Sequence, residues 1–268
     1  NNNHETNRFA VEFVQGDIRD AELIEDLFCK NKFDAVAHLA AETHVDRSIE
    51  NPLLFSEVNV TGTANLLESA LKHNVKKFLH VSTDEVYGSL EKTEPAFTEQ
   101  SQIKPSSPYS ASKAGSDLLV SSYVKTYGLN AFITRCSNNF GPHQDSSKLI
   151  PVIINKALNN QKIPIYGNGQ NIRDWLFVED HVNALFLALE KAKSDEVYNI
   201  GGNNERTNLE ITKKILSMMN KNEELIEFVE DRKGHDLRYA INAEKAKQEL
   251  GFTPSTNFEE LLERTINY

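Results

Sequence analysis

Little in this 268-residue chain points to a metal, a membrane or a nucleic acid. It has only two cysteines, Cys29 and Cys136, far apart and at no metal-ligand spacing. Two buried thiols in a reducing, cytoplasmic setting are therefore expected. No apolar run approaches the ~20 residues of a membrane span. The start, Asn1 to Asn7, is polar and lacks the apolar stretch of a secretory leader. Positive charge is in deficit, with a net charge of −10. An acidic surface repels phosphate backbones, which argues against nucleic acid as a partner. A small anion held by basic residues gathered in one cleft stays open. No internal repeat occurs, and no low-complexity stretch beyond the asparagine-rich start. The 39% hydrophobic content is enough for a large core in one or two domains.

Short apolar runs alternate with amphipathic stretches. Val11 to Val14, Phe33 to Ala40, Lys77 to Ser82 and Asn130 to Arg135 read as strands. The run from Phe33 lacks clean alternation, as in a strand buried on both faces. Helices are expected over Ala21 to Lys30, Pro52 to Asn74 and Tyr109 to Tyr127. This βαβα order predicts an α/β fold with a doubly wound, Rossmann-like parallel sheet, whose ligands sit at the carboxyl ends of the strands. The second half is less regular. Helices are expected over Lys148 to Asn159, Val182 to Ala192, Asn208 to Met219 (capped by Thr207 or Asn208), Ala243 to Leu250 and Asn257 to Thr265. Pro164 to Gly167 and Glu196 to Ile200 read as short strands. The domain reading is a nucleotide-binding domain over 1–137 with 172–196 interleaved, and a smaller α/β substrate lobe over 138–171 and 197–268. Such a sheet normally opens with a strand, a glycine-rich turn and a helix, yet no G-x-G-x-x-G spacing occurs anywhere. The chain is therefore expected to begin after that unit, which takes ~30 or more residues.

Two motifs carry the chemistry. Tyr109 and Lys113 are i and i+4 behind Pro108, so they share a helix face near its start. A lysine cation and a helix N-terminus favour a phenolate, which can act as a general base. By itself the pattern also fits a solvated helix face. The second motif, Thr83-Asp84-Glu85, closes a strand. It reads equally as a turn or cap, or as two carboxylates with separated pKa values, one protonated and one ionised. Gly16-Asp17 after a strand is a turn or an acceptor for an adenine amino group. Leu39-Ala40-Ala41 is ordinary packing or a close cofactor approach. Arg173 and the run Asp231 to Arg238 are solvated charge clusters or a diphosphate site. His38 reads as a core histidine and His44 as a polar loop residue, so no metal is assigned.

Taken together, Gly16 to Asp20, Leu39 to Ser48, Ser82 to Gly88, Pro108 to Lys113, Arg135 to Pro142, Arg173 to Trp175 and Asp231 to Asp236 resemble the extended short-chain dehydrogenase/reductase family, and its sugar-nucleotide dehydratases in particular. The resemblance runs over essentially the whole chain. It implies an NAD-dependent lyase that dehydrates a nucleoside-diphosphate glucose, expected to be dTDP-glucose, to the 4-keto-6-deoxy sugar. Catalysis would fall to Thr83, Asp84, Glu85, Tyr109 and Lys113. NAD would be lined by Asp17, Ile18, Leu39, Ala40, Ala41, Thr43, Tyr109, Lys113 and Asn139. The sugar nucleotide would meet Thr83, Asn138, Lys148, Leu149, Pro164, Tyr166, Arg173, Asn208, Asp231 and His235. The helices starting near Pro52 and Tyr109 would form a homodimer surface. Two alternatives remain: another sugar-nucleotide enzyme, such as a UDP-sugar epimerase or decarboxylase, and a non-catalytic nucleotide-binding scaffold.

Overall fold

A computed structural model describes residues 11–268, so the polar start at 1–7 lies outside the described residues. In chain order the elements are helix α1 (Ala21–Lys30), strand β1 (Ala35–His38), α2 (Val45–Glu50), α3 (Pro52–Ser56), a π-helical turn (Glu57–Thr61) and α4 (Gly62–Lys72). Then come β2 (Lys77–Thr83), a 3-10 turn (Asp84–Tyr87), α5 (Pro108–Tyr127), β3 (Ala131–Cys136), β4 (Asn138–Phe140), α6 (Leu149–Leu158) and β5 (Ile163–Tyr166). The rest is β6 (Ile172–Phe177), α7 (Val178–Lys191), β7 (Val197–Ile200), β8 (Glu205–Thr207), α8 (Asn208–Met218), β9 (Ile226–Val229) and α9 (Phe258–Ile266).

Local signals explain the main helices. Asp20 caps α1 by accepting from Leu23 N at 3.0 Å, and Ile24 and Phe28, one turn apart, form its buried stripe. Helix α5 opens on a reciprocal capping box between Ser107 and Ser110, with Pro108 in its first turn, and stops at Gly128 in the left-handed region (φ 71°). Thr207 and Glu210 form the same box at α8.

The expected parallel sheet is present, in the order β1-β2-β3-β7. One face packs on α1, α4 and α5 through Phe28, Leu67, Phe78, Val120 and Ile133. The other packs on α7 and the helical turn ending at Leu250 through Leu79, Phe132, Leu185 and Tyr198. Apolar burial on both faces is what makes the strands read as continuous hydrophobic runs. A third core, around Phe140, Ile153, Trp175 and Ile215, holds a smaller unit with the sheet β4-β6-β8 and the parallel pair β5-β9.

Several expectations need correcting. Val11 to Val14 is not a strand: Val11 is 79% and Phe13 85% exposed, and no described strand pairs with them. Strand β1 is half-exposed rather than buried on both faces, because it edges the described sheet. Cys29 is exposed and Cys136 only partly buried, so the thiols are not two core residues. Cys29 follows the buried Phe28 and therefore turns away from the α1 stripe. The helix expected over Pro52 to Asn74 contains a π turn, in which Gly62 N–H bonds to Glu57 five residues back. Gly62 is small for a reason: a Cβ there would sit 2.5 Å from Ile18 Cγ1. Strands β4, β6, β8 and β9 were not anticipated, being short and paired only through distant chain. The segment 172–196 divides, with β6 in the small sheet and α7 against the large one, while β7 of the large sheet lies beyond its end.

Candidate active site

Strand β2 ends with Ser82 opposite Arg135 and Thr83 opposite Cys136 on β3. The chain then tightens into the 3-10 turn, with Thr83 Oγ1 accepting from Glu85 N at 3.2 Å. This turn places Asp84 and Glu85 in succession at the carboxyl edge of the sheet. Tyr109 and Lys113 arrive from the first turns of α5, both buried. Lys113 Nζ donates to the Val81 carbonyl at 2.8 Å, which ties α5 to the last turn-out of β2. The Tyr109 ring is held edge-on to Phe55 of α3, with centroids 6.3 Å apart.

These groups line a cavity of about 370 Å³ with Leu39, Ala41, Thr43, Cys136 and Asn139. A second cavity of about 270 Å³ lies between the large sheet and the smaller unit, and includes Pro164, Tyr166, Arg173, Asn208, Arg232 and His235. Thr43, Glu85, Asn138, Lys148, Leu149 and Trp175 line both, so the two spaces share a wall and Glu85 stands on it.

The electrostatics separate the two carboxyls. Asp84 is 2% exposed, and burial raises its pKa well above the usual carboxylate value, helped by the charges of Glu85 and Asp174. Its Oδ1 accepts from Thr83 Oγ1 at 3.3 Å, while Oδ2 has no partner. Glu85 is also raised by burial, but Arg173, Arg232 and Lys148 pull it back. Both carboxyls are thus shifted toward their protonated forms, Asp84 strongly, while the three cations offset part of the rise at Glu85. Arg173 is nine-tenths buried or more, donates to the Asp236 carbonyl at 3.0 Å and stacks 4.1 Å above the Tyr239 ring. Arg232 donates to Asp46 at 3.3 Å, and Lys148 to the Thr43 carbonyl at 2.9 Å.

The expected phenolate is not what the geometry gives. Burial raises the Tyr109 pKa well above its ordinary value, and the charge of Glu85 adds to this. The Lys113 ammonium turns to Val81 instead, and burial lowers its own pKa to about 8.

Of the residues expected to contact a cofactor, Leu39, Ala41, Thr43, Tyr109, Lys113 and Asn139 come together in the first cavity. Asp17, Ile18 and Ala40 do not line it. Asp17 is exposed and ion-paired to Arg19 at 2.7 Å, and Asn65 donates to the Ile18 carbonyl at 3.0 Å. All the expected sugar-nucleotide residues line one of the two cavities except Asp231, which instead accepts from His235 Nδ1 at 2.6 Å. Arg232, Tyr239 and Trp175 were not anticipated as lining residues. The basic run Asp231 to Arg238 contains Arg232, Tyr239 lies just beyond it, and Trp175 entered only as the last residue of the Arg173 to Trp175 motif. The cavity fits a dinucleotide's reactive end on its own features: small side chains at Ala41 and Ser82, a Ser82 Oγ buried without a partner, and the Tyr109–Lys113 pair beside it.

Comparison with known proteins agrees with this geometry. A family model described as GDP-mannose 4,6 dehydratase matches residues 1–265. The dTDP-glucose 4,6-dehydratase of Haemophilus influenzae is 49% identical over 276 residues, covering 96% of this chain and 82% of that relative. Among solved structures, the dTDP-glucose 4,6-dehydratase of Streptomyces venezuelae, crystallised with NAD bound, is 45% identical with a TM-score of 0.92, covering 95% of this chain and 78% of that one. The UDP-glucose 4-epimerase of Thermotoga maritima has a TM-score of 0.91 at 31% identity, covering 98% and 85%. The chain belongs to the 4,6-dehydratase family, within the extended short-chain dehydrogenase/reductases.

Proposed function

We propose that this chain catalyses NAD-dependent dehydration of a nucleoside-diphosphate glucose, dTDP-glucose foremost, to the 4-keto-6-deoxy sugar. One observation carries the reading. Thr83, Asp84 and Glu85 line the first cavity, and Glu85 stands on the wall it shares with the second; burial drives the Asp84 pKa strongly upward, while its neighbour faces three cations. An enzyme that only inverts a hydroxyl needs no such acid and base pair, which favours dehydration over epimerisation despite the shared fold.

Tyr109 takes the proton of the C4 hydroxyl, with Lys113 and Thr83 beside it. When bound, NAD supplies the acceptor for the C4 hydride, returns it at C6, and adds the positive ring that a buried phenol needs to ionise. Oxidation at C4 makes the C5 hydrogen acidic. Glu85 removes that proton, and Asp84 delivers its own to the C6 hydroxyl, which leaves as water; when hydride reaches C6, Glu85 returns its proton to C5, and the proton taken up by Tyr109 restores Asp84. The diphosphate is assigned to Arg173, Arg232 and Lys148, whose charges converge on the second cavity of an otherwise acidic protein. Asp17, Ile18 and Ala40 remain candidates for the distal part of the cofactor, and Asp231 acts on the sugar nucleotide through His235.

A homodimer is part of this reading. Leu53 on α3 and Leu118 on α5 are 73% and 61% exposed, an apolar surface suited to a second copy. The organisation is two-lobed, with α7 and β7 (Val178–Ile200) joining the nucleotide-binding lobe and β6 belonging to the smaller one. No helix among the described residues is long and apolar enough to cross a membrane, in keeping with a cytoplasmic enzyme.

The test is product analysis of the purified chain with NAD and either dTDP-glucose or UDP-glucose. A 4-keto-6-deoxy product from dTDP-glucose is expected. A product that keeps its 6-hydroxyl would point to the epimerase reading, and binding without turnover to the scaffold.

A further inference from the structure

Away from both cavities, α1 and α4 bring three donor side chains of different chemistry to one point. Glu25 and Cys29 are one turn apart on α1, and His73 caps the carboxyl end of α4. The Cys29 thiol donates to Glu25 Oε1 at 3.3 Å, His73 Nε2 lies 3.0 Å from the same oxygen, and Cys29 Sγ lies 3.9 Å from His73 Nε2. Among the described residues, this is the group of ligand-type side chains whose donor atoms all fall within 4.8 Å of one another. A tetrahedral zinc ion with bonds of ~2.0–2.3 Å separates its donors by roughly 3.3–3.6 Å. The three observed separations bracket that range, so the triangle needs adjustments of only a few tenths of an ångström. Sequence spacing concealed it, because His73 lies 44 residues from Cys29.

We propose that Glu25, Cys29 and His73 bind one divalent cation of the zinc class, with a water molecule as the fourth ligand. Thiolate, carboxylate and neutral imidazole together balance a charge of two. The site is reachable from solvent, since the Glu25 and His73 side chains are 30% and 23% exposed. Phe28 stands 6.0 Å from the His73 ring and limits its rotation, and Ser69 Oγ donates to the other Glu25 oxygen at 3.5 Å. On binding, the Cys29 S–H bond breaks, an S–metal bond forms and the proton passes to solvent, with no change in oxidation state. The carboxylates Glu25 and Asp26 hold the thiol proton on, and the Lys72 ammonium opposes them. Lys72 also donates to Glu25 Oε1 at 2.5 Å, so the cation competes with it for that oxygen.

Cobalt(II) and zinc(II) titrations of the purified chain test this. One equivalent of cobalt should give a thiolate-to-metal charge-transfer band with the visible absorption of a four-coordinate ion. Zinc should displace it, protect Cys29 from alkylation and raise the melting temperature. Cys29→Ser should abolish the band. His73→Ala should weaken zinc by at least ~100-fold, more than loss of an outer-shell partner. Cys136→Ser should keep the band. No uptake, or a band that follows Cys136, would overturn the proposal and leave the group as a hydrogen-bonded cluster around Glu25. All three variants replace exposed or partly exposed side chains, and circular dichroism checks that they remain folded.

Discussion

Replacing Asp84 by Asn and Glu85 by Gln, singly and together, probes the water-removal step. Burial favours the uncharged form of Asp84, so Asp84→Asn removes a transferable proton with little change in charge. The hydroxyl of Thr83 keeps an oxygen to donate to, and stability should move by about 1 kcal/mol or less. General acid or base catalysis by one side chain is typically worth ~10²–10⁴-fold. No solvent reaches Asp84 to take over, which places its loss near the top of that range, about 4–5 kcal/mol at 1.36 kcal/mol per decade. Glu85 is only half-buried, so water can partly replace it, and Glu85→Gln should cost ~10²–10³-fold. Acting on one elimination, the two losses should not add. The assay follows product by chromatography and deuterium uptake at C5 in heavy water. Asp84→Asn should still exchange the C5 hydrogen, because Glu85 remains, while Glu85→Gln should not. Wild-type turnover in either variant, or C5 exchange that disappears with Asp84 instead, would refute the assignment.

Three further outcomes are expected. Asp117 is buried against Arg135 Nε at 2.9 Å and His80 at 3.4 Å, so Asp117→Ala should lower unfolding free energy by ~3–5 kcal/mol in urea titrations by leaving a buried cation unpaired. His80 and His181 are buried with pKa values lowered to about 4, so the unfolded chain binds more protons between pH 6.5 and 4; the urea midpoint should be lower at pH 5 than at pH 7. A Cβ at Gly202 would lie 1.9 Å from the Trp175 carbonyl, so Gly202→Ala should cost at least ~1–3 kcal/mol by the same measurement and displace Trp175 from both cavities.

The large sheet was legible because strands covered on both faces place apolar residues at successive positions, as Phe78-Leu79 and Ala131 to Ile133 do. The candidate catalytic set was legible because strand ends and helix starts concentrate its members within short stretches, Thr83 to Glu85 and Tyr109 to Lys113, which the fold brings to one cavity. The smaller unit was harder. Strands of three or four residues such as Asn138–Phe140 and Glu205–Thr207 have no period to detect, and their pairing depends on chain tens of residues away. The state of Tyr109 was misjudged because i,i+4 spacing puts Lys113 on the same face without making it a partner. Only the fold shows the ammonium taken up by Val81. Cys29 was misread for a related reason: a one-residue step along α1 from Phe28 carries a side chain from core to solvent.

The π turn at Glu57–Thr61 has a consequence for how this protein tolerates insertions and deletions. Its extra residue turns Asn59 inward, where the amide spans Glu42 and Ser112, bridging the loop after β1 to α5. Removing one residue there would regularise the backbone, and because the wide turn already absorbs the surplus residue, the helix on either side would keep its phase. The face of Leu66, Leu67 and Ala70 would stay on the sheet. What would be lost is the inward place of Asn59, and with it the bridge to α5 beside Tyr109. The irregularity thus acts as a socket: it lets one polar side chain turn inward without disturbing the rotational setting of the helix that carries it.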